Sequence, residues 1–375
     1  MDDVALIHND HNELQKMLDT TDEIAKRYHI KFGKEKSQII TIGKSTINHN
    51  FHLGDQILDQ TTNYKYLGMS INDKGNLEDH LNKLKGKVEA ALQTIFTLAG
   101  NDEFQQIEMS TIWRLVHSCI IPILMYGAET WTPTRKEISQ AQKILDNVIK
   151  RILKTPTTTP TEILTAETRI WEVEIQMMQK QIMYYHRIIT KIDEEKQPQL
   201  IKLLTNKKKP WNKQIKETLE KTDINETELL SKNPKQAKRM VRNRLENYQT
   251  HKIYKAAENK SKVRDYICYQ RRYDTKNKPN YINNLSRNDC SNIFTTRARM
   301  IHVKGNYKNK HTDMKCRWCT TEPETQKHII TKCPAFKEIT NGLTYDDLYA
   351  NDITTITKTK QTMRKVILKL KEKQT

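Results

Sequence analysis

Residues 316–333 read CRWCTTEPETQKHIITKC, a spacing of Cys316-x2-Cys319-x8-His328-x4-Cys333. No other stretch of the sequence limits its own folding as tightly. A C-x-x-C pair lets two thiolates approach one metal from a tight turn, and a His and a Cys five residues apart complete a tetrahedron. Three sulfurs and one imidazole nitrogen suit Zn²⁺. Four protein ligands leave no open position, so the pattern predicts a structural site. Backbone amides after Cys316 are expected to hydrogen-bond the thiolates. The competing reading is free thiols beside a surface histidine. His302 and His311 lie nearby, so the spacing defines the three sulfurs better than the nitrogen. Cys119, Cys268 and Cys290 are scattered and need no role beyond packing. So few cysteines, without a signal peptide, indicate a reduced intracellular setting, which favours metal over disulfide.

Charge is the second constraint. The chain carries 64 Lys+Arg against 45 Asp+Glu, a formal charge of +19. Between Ile201 and Lys310 stand 28 basic and 10 acidic residues, so this stretch holds +18 of the total. A basic middle on a near-neutral frame predicts a polyanionic partner, RNA or DNA. The bland alternative is a solvated face or linker. Tyr248, Tyr254, Tyr266, Tyr269, Tyr273 and Tyr281 are interleaved with the basic residues. They can stack on bases or pack under the helices. No stretch approaches the ~18 apolar residues of a membrane helix, so no membrane partner is expected.

Hydrophobic periodicity predicts an α+β, mostly α chain. Val4–Ile7 reads as a short strand, Asn12–Tyr28 as an amphipathic helix, and Gln38–Ile42 and Tyr64–Ile71 as strands. Leu77, Leu81, Leu84, Val88, Leu92 and Ile95 form a helical stripe. Further helices are expected over Phe104–Leu124, interrupted near Pro122, and over Arg135–Leu153 and Trp171–Ile192, together making a bundle. The basic stretch reads as helical over Lys235–Tyr248 and Tyr254–Tyr269, and the C-terminus over Met363–Lys373.

Several segments resemble, in order, the motifs of non-LTR retrotransposon reverse transcriptases. Met1-Asp2-Asp3-Val4-Ala5-Leu6-Ile7 is similar to the second half of the hairpin that carries the family's Asp-Asp pair. His29–Ser37 resembles the following motif, an extended segment ending in Lys36-Ser37. Tyr64-Lys65-Tyr66-Leu67-Gly68 resembles the primer grip. Pro122-Ile123-Leu124-Met125-Tyr126-Gly127-Ala128-Glu129-Thr130-Trp131 resembles the thumb signature. Phe294–Met300, Asn306 and the Cys/His cluster resemble the tail that ends in a zinc knuckle.

The resemblance implies five segments: the end of a palm (1–75), a helical thumb (76–195), a basic helical nucleic-acid-binding region (196–300), a zinc knuckle (301–340) and a Lys-rich tail (341–375). It implies catalytic roles for Asp2, Asp3 and Lys36, the aspartates holding Mg²⁺ for RNA-directed DNA synthesis. It also implies nucleic-acid contacts from Tyr66, Leu67, Gly68, Arg297 and Arg299. A third carboxylate, the nucleotide-binding fingers and the template grip would precede residue 1. The chain as given is therefore expected to be a truncated polymerase without activity alone. The alternative is a retrotransposon-derived nucleic-acid-binding protein that never catalyses. Lys207-Lys208-Lys209-Pro210 resembles a nuclear-import cluster, so nuclear residence is expected.

Overall fold

The computed structural model describes residues 3–43, 49–100, 107–191, 209–270, 279–306 and 313–373. It divides into two compact units. One comprises Met1–Gly86 with Pro133–Glu137, the other Lys87–Thr132 with Ile138–Thr375. The chain is α+β and mostly α, and among the described residues no helix is long and apolar enough to cross a membrane.

In the first unit the helix His11–Arg27 starts at Asp10, whose carboxylate accepts the amides of Asn12 and Glu13. Such a cap satisfies amides that the first turn leaves without partners. Leu18 packs into a small core with Ile39, Phe51, Leu53 and Leu58. The Gln15 amide brackets the backbone of His52, donating to its carbonyl and accepting its N–H, both at 2.9 Å.

Among the described residues six short strands make three two-stranded ladders. Strand β1 (Gln38–Ile40) runs parallel to β4 (Asp59–Thr61), β2 (His52–Leu53) pairs with β3 (Gln56–Ile57), and β5 (Asn63–Tyr66) pairs with β6 (Met69–Asn72). The single strand expected over 64–71 is therefore a hairpin. Leu67 (φ 45°) and Gly68 (φ 84°) both sit in the left-handed region, the backbone of a two-residue turn that matches strand twist. The strand expected over Val4–Ile7 is not formed. None of the described strands pairs with it, and Val4 and Ile7 are exposed.

The predicted helical stripe lies on the helix Glu78–Ala99, with Leu81, Leu84, Val88, Leu92 and Ile95 all buried. In the second unit the break expected near Pro122 is real. Met109–Leu115 runs into a wider π turn, Val116–Ile120, before Ile121–Leu124 resumes the α form with Pro122 in its first turn. The wider turn accommodates a residue that has no N–H to give. Helices Arg135–Ile152, Thr161–Thr168 and Val173–Lys191 follow.

Between residues 209 and 270 the basic stretch folds into Pro210–Lys221, Glu226–Ser231, Pro234–Asn259 and Ser261–Gln270, and farther on into Tyr281–Asn284 and Arg287–Arg297. Leu219, Leu229, Val241 and Leu245 of this stretch share one core with Ile175, Met178 and Ile182 of the preceding helix. Residues on either side of the boundary expected at 195/196 thus bury each other. The tyrosines follow the bland reading: Tyr266 and Tyr281 are buried and Tyr248 and Tyr269 half-buried, while Tyr273 lies outside the described residues. The C-terminal helix is longer than expected, Ile353–Glu372. It buries Ile356, Met363, Val366 and Leu370, so it is part of the fold rather than a tail.

Candidate metal centre

Residues 314–324 fold back on themselves. The Glu324 amide donates to the Met314 carbonyl, the Cys316 amide to that of Glu322, both at 2.8 Å, and Lys315 bridges Pro323. Thr320, at φ 59°, closes the inner turn by donating its amide to the Cys316 carbonyl. This places Cys316 and Cys319 together, as a C-x-x-C turn requires. Thr325 caps the helix Gln326–Thr331 through the His328 amide, and the Cys333 amide donates to the His328 carbonyl at 2.8 Å. His328 and Cys333 are thereby held on the same side.

The four ligand atoms lie within 4.8 Å of one another. Cys316 Sγ is 3.9 Å from Cys333 Sγ, and Cys319 Sγ is 3.2 Å from His328 Nε2. A tetrahedral zinc ion with ~2.3 Å bonds to sulfur separates its sulfurs by roughly 3.8 Å and sulfur from nitrogen by roughly 3.5 Å. The site therefore fits a metal such as zinc, which would cross-link two loops and supply no open position. His302 is exposed and outside this cluster, and His311 lies outside the described residues.

Local hydrogen bonds set the thiols apart. The Thr321 hydroxyl, 3.1 Å from Cys319 Sγ, with the Thr321 and Glu322 amides, draws Cys319 down to about 6. Burial pushes Cys333 up to about 12, against an opposing amide from Ala335. The amides that serve the sulfurs thus include those after Cys319 and Cys333. Metal capture must displace the Cys333 proton. His328 Nδ1 donates to the Glu322 carboxylate at 3.1 Å, which turns the Nε2 lone pair toward the sulfurs. We expect Glu322→Ala to weaken zinc about 10–100-fold in competition with a chromogenic chelator. Unchanged affinity would remove Glu322 from the site.

Glu324 anchors the loop from behind. It is fully buried and accepts from the Arg317 amide and guanidinium and from the Lys304 amide. Arg317 also donates to the Lys373 carbonyl at 3.1 Å, and Lys373 Nζ returns a bond to the Arg317 carbonyl at 3.0 Å. Lys369 donates to the Ala335 carbonyl, and both lysines lie over the Trp318 ring. The C-terminal helix therefore grips the segments that carry Cys316, Cys319 and Cys333. Glu322, Glu324 and these lysines were missed in sequence because nothing in their spacing marks them.

The remaining predicted residues are dispersed. Asp2 lies outside the described residues, and Asp3 is exposed outside any regular element. Lys36 is exposed at the end of a short 3-10 turn, its carbonyl accepting the Tyr64 hydroxyl. Tyr66, Leu67 and Gly68 form the tip of the β5–β6 hairpin, with Leu67 exposed. Arg299 is ion-paired with Asp265.

Arg297 departs most from its expected place at a nucleic-acid surface: it is 1% exposed. Its guanidinium donates to the carbonyls of Leu348 and Ala350 at 2.7 and 2.6 Å, lies over the Tyr281 ring, and sits 3.6 Å from the Glu167 carboxylate. Glu167, fully buried, also accepts from the Tyr266 and Tyr281 hydroxyls at 2.8 and 2.5 Å. Burial, then the neighbouring carboxylate, pushes both tyrosines well up, so they stay protonated donors. Burial opposes the charge on Arg297, but Glu167 and the ring of tyrosines Tyr281, Tyr266 and Tyr349 together outweigh it and keep the guanidinium ionised. This cluster ties together elements distant in sequence, and its role is structural.

Fold and site together define a mostly helical α+β protein with a Cys3His cluster that could hold a structural metal. Compared with protein-family models the chain matches none, and compared with curated proteins it matches none.

Proposed function

We propose that this protein binds nucleic acid and is the C-terminal portion of a non-LTR retrotransposon reverse transcriptase. The observation that carries the reading is the gathered Cys3His cluster in a chain of net charge +19. A zinc-stapled loop on a strongly basic chain suits a polyanion, and RNA or DNA is the polyanion the motif order favours. Fluorescence anisotropy with a labelled RNA tests it. Affinity should fall linearly on a log–log plot against salt, by about 0.7 per phosphate contacted on a single strand. Absence of binding at low salt would overturn the reading.

Polymerase activity by the chain alone is not part of this proposal. The family reaction would need Mg²⁺ at Asp2 and Asp3. Among the described residues, the Cys3His cluster is the only group of three or more candidate ligands gathered closely enough to hold a metal. A carboxylate on an exposed segment is not held to the tolerance a two-metal clamp requires. Primer extension with Mg²⁺ should give no template-directed product, and any template-dependent incorporation would refute this. Nuclear residence, by way of Lys207–Pro210, belongs to the same proposal.

A further inference from the structure

The helix Val173–Lys191 turns Ile175, Met178 and Ile182 into the core. Lys180, Tyr184, Arg187 and Lys191 recur at helical spacing and share another face. With Glu129 and Pro234, these four line an open cleft. Two residues shape it. Trp211 Nε1 donates to the Glu129 carbonyl at 2.8 Å and sets its ring edge against Tyr184. Buried His186 bonds through Nε2 to the Lys232 carbonyl at 2.9 Å, holding the start of the Pro234–Asn259 helix at the cleft.

The cleft is cationic. Lys180 Nζ is 3.4 Å from the Glu129 carboxylate, while among the described residues Arg187 and Lys191 form no ion pair. Among the described lining residues three cations thus face one carboxylate, and the nearby helix start adds partial positive charge. The Arg187 guanidinium lies over the Tyr184 ring, 5.2 Å from its centroid. A guanidinium steadied on a ring keeps its forked N–H groups in a plane that matches phosphate oxygens.

We propose that this cleft holds the sugar-phosphate backbone of a nucleic acid, with Arg187 and Lys191, one helical turn apart, on neighbouring phosphates. The inference rests on the nucleic-acid reading above and places the cations of the site, Lys180, Arg187 and Lys191, outside the basic stretch 201–310. An acidic peptide is the less fitting ligand. Its carboxylates carry single charges on flexible stems, whereas a phosphodiester chain presents a regular row of anions to a chain already strongly cationic.

The test compares two charge-reversed variants of the full chain. One is Arg187→Glu with Lys191→Glu. The other, Lys365→Glu with Lys371→Glu, makes the same change in net charge at exposed positions of the C-terminal helix. Binding of a labelled single-stranded RNA is followed from about 50 to 200 mM salt. The cleft variant should lose at least about tenfold in affinity, and its log–log salt slope should flatten by about 1.4, two contacts' worth. The control should lose less than about threefold, because separated surface charges are screened. Unchanged melting and zinc content establish that both variants fold. Equal losses in the two variants would overturn the cleft, as would poly-glutamate displacing RNA as well as unlabelled RNA does. A native protein that binds no RNA would instead overturn the reading above, so the two failures are distinguishable.

Discussion

Serine at both Cys316 and Cys333 should abolish stoichiometric zinc binding and loosen the C-terminal third of the protein. The two sulfurs are buried and 3.9 Å apart. Losing both leaves Cys319 and His328, too few ligands for a closed tetrahedral site. In zinc-finger peptides a complete set supplies apparent binding energies of about 10–16 kcal/mol, much of it folding energy. In this chain, zinc at a thousandfold above its dissociation constant would stabilise the folded form by about 4 kcal/mol. The consequence reaches beyond the loop because Arg317, Lys369 and Lys373 tie it to the helix Ile353–Glu372. Metal analysis of the purified variant reads the first effect. Hydrogen exchange of residues 353–372, with and without chelator, reads the second. Full zinc content in the double-serine protein would exclude these residues as ligands. Unchanged exchange would separate the helix from the site.

Arg297→Met should cost about 3–5 kcal/mol, the usual penalty for removing one member of a buried ion pair. The loss is large because Glu167, fully buried, loses the guanidinium beside it and is left in the core with the hydrogen bonds from the Tyr266 and Tyr281 hydroxyls. Two further donors are lost from the Leu348 and Ala350 carbonyls. Against a typical net stability of about 5–15 kcal/mol, such a variant sits near the edge of folding. Glu167→Gln combined with Arg297→Met should recover part of the loss, since no buried charge then stands alone. Urea denaturation followed by tryptophan fluorescence measures all three proteins. A cost below about 1 kcal/mol for Arg297→Met is what a solvent-facing nucleic-acid contact would show, and it would refute the buried placement.

Local chemistry was legible in the sequence where one short stretch carries the whole constraint. The stripe from Leu81 to Ile95 specifies a helix because its spacing and its burial are the same fact. Cys316, Cys319, His328 and Cys333 announce a shared centre because four ligands to one ion must converge whatever the rest of the chain does. The primer-grip-like run 64–68 shows the limit of such reasoning. Its alternation reads equally well as one strand or two, and the left-handed backbone at Leu67 and Gly68 makes it a hairpin.

Charge was the less legible part. An arginine in a basic stretch reads as exposed, since burying a charge alone is prohibitive. Whether it is buried depends on a partner that sequence spacing does not reveal. Arg297 goes inward because Glu167, Tyr281 and the Leu348 and Ala350 carbonyls, all remote in sequence, converge on it. The same holds for Glu324, whose carboxylate becomes part of the metal loop only through Arg317 and the Lys304 amide. Likewise, Lys180, Arg187 and Lys191 become a cleft only when Trp211 and His186 bring other segments alongside. Periodicity and ligand spacing are properties of a segment. The fate of a charge is a property of what packs around it, and that was decided by tertiary contact.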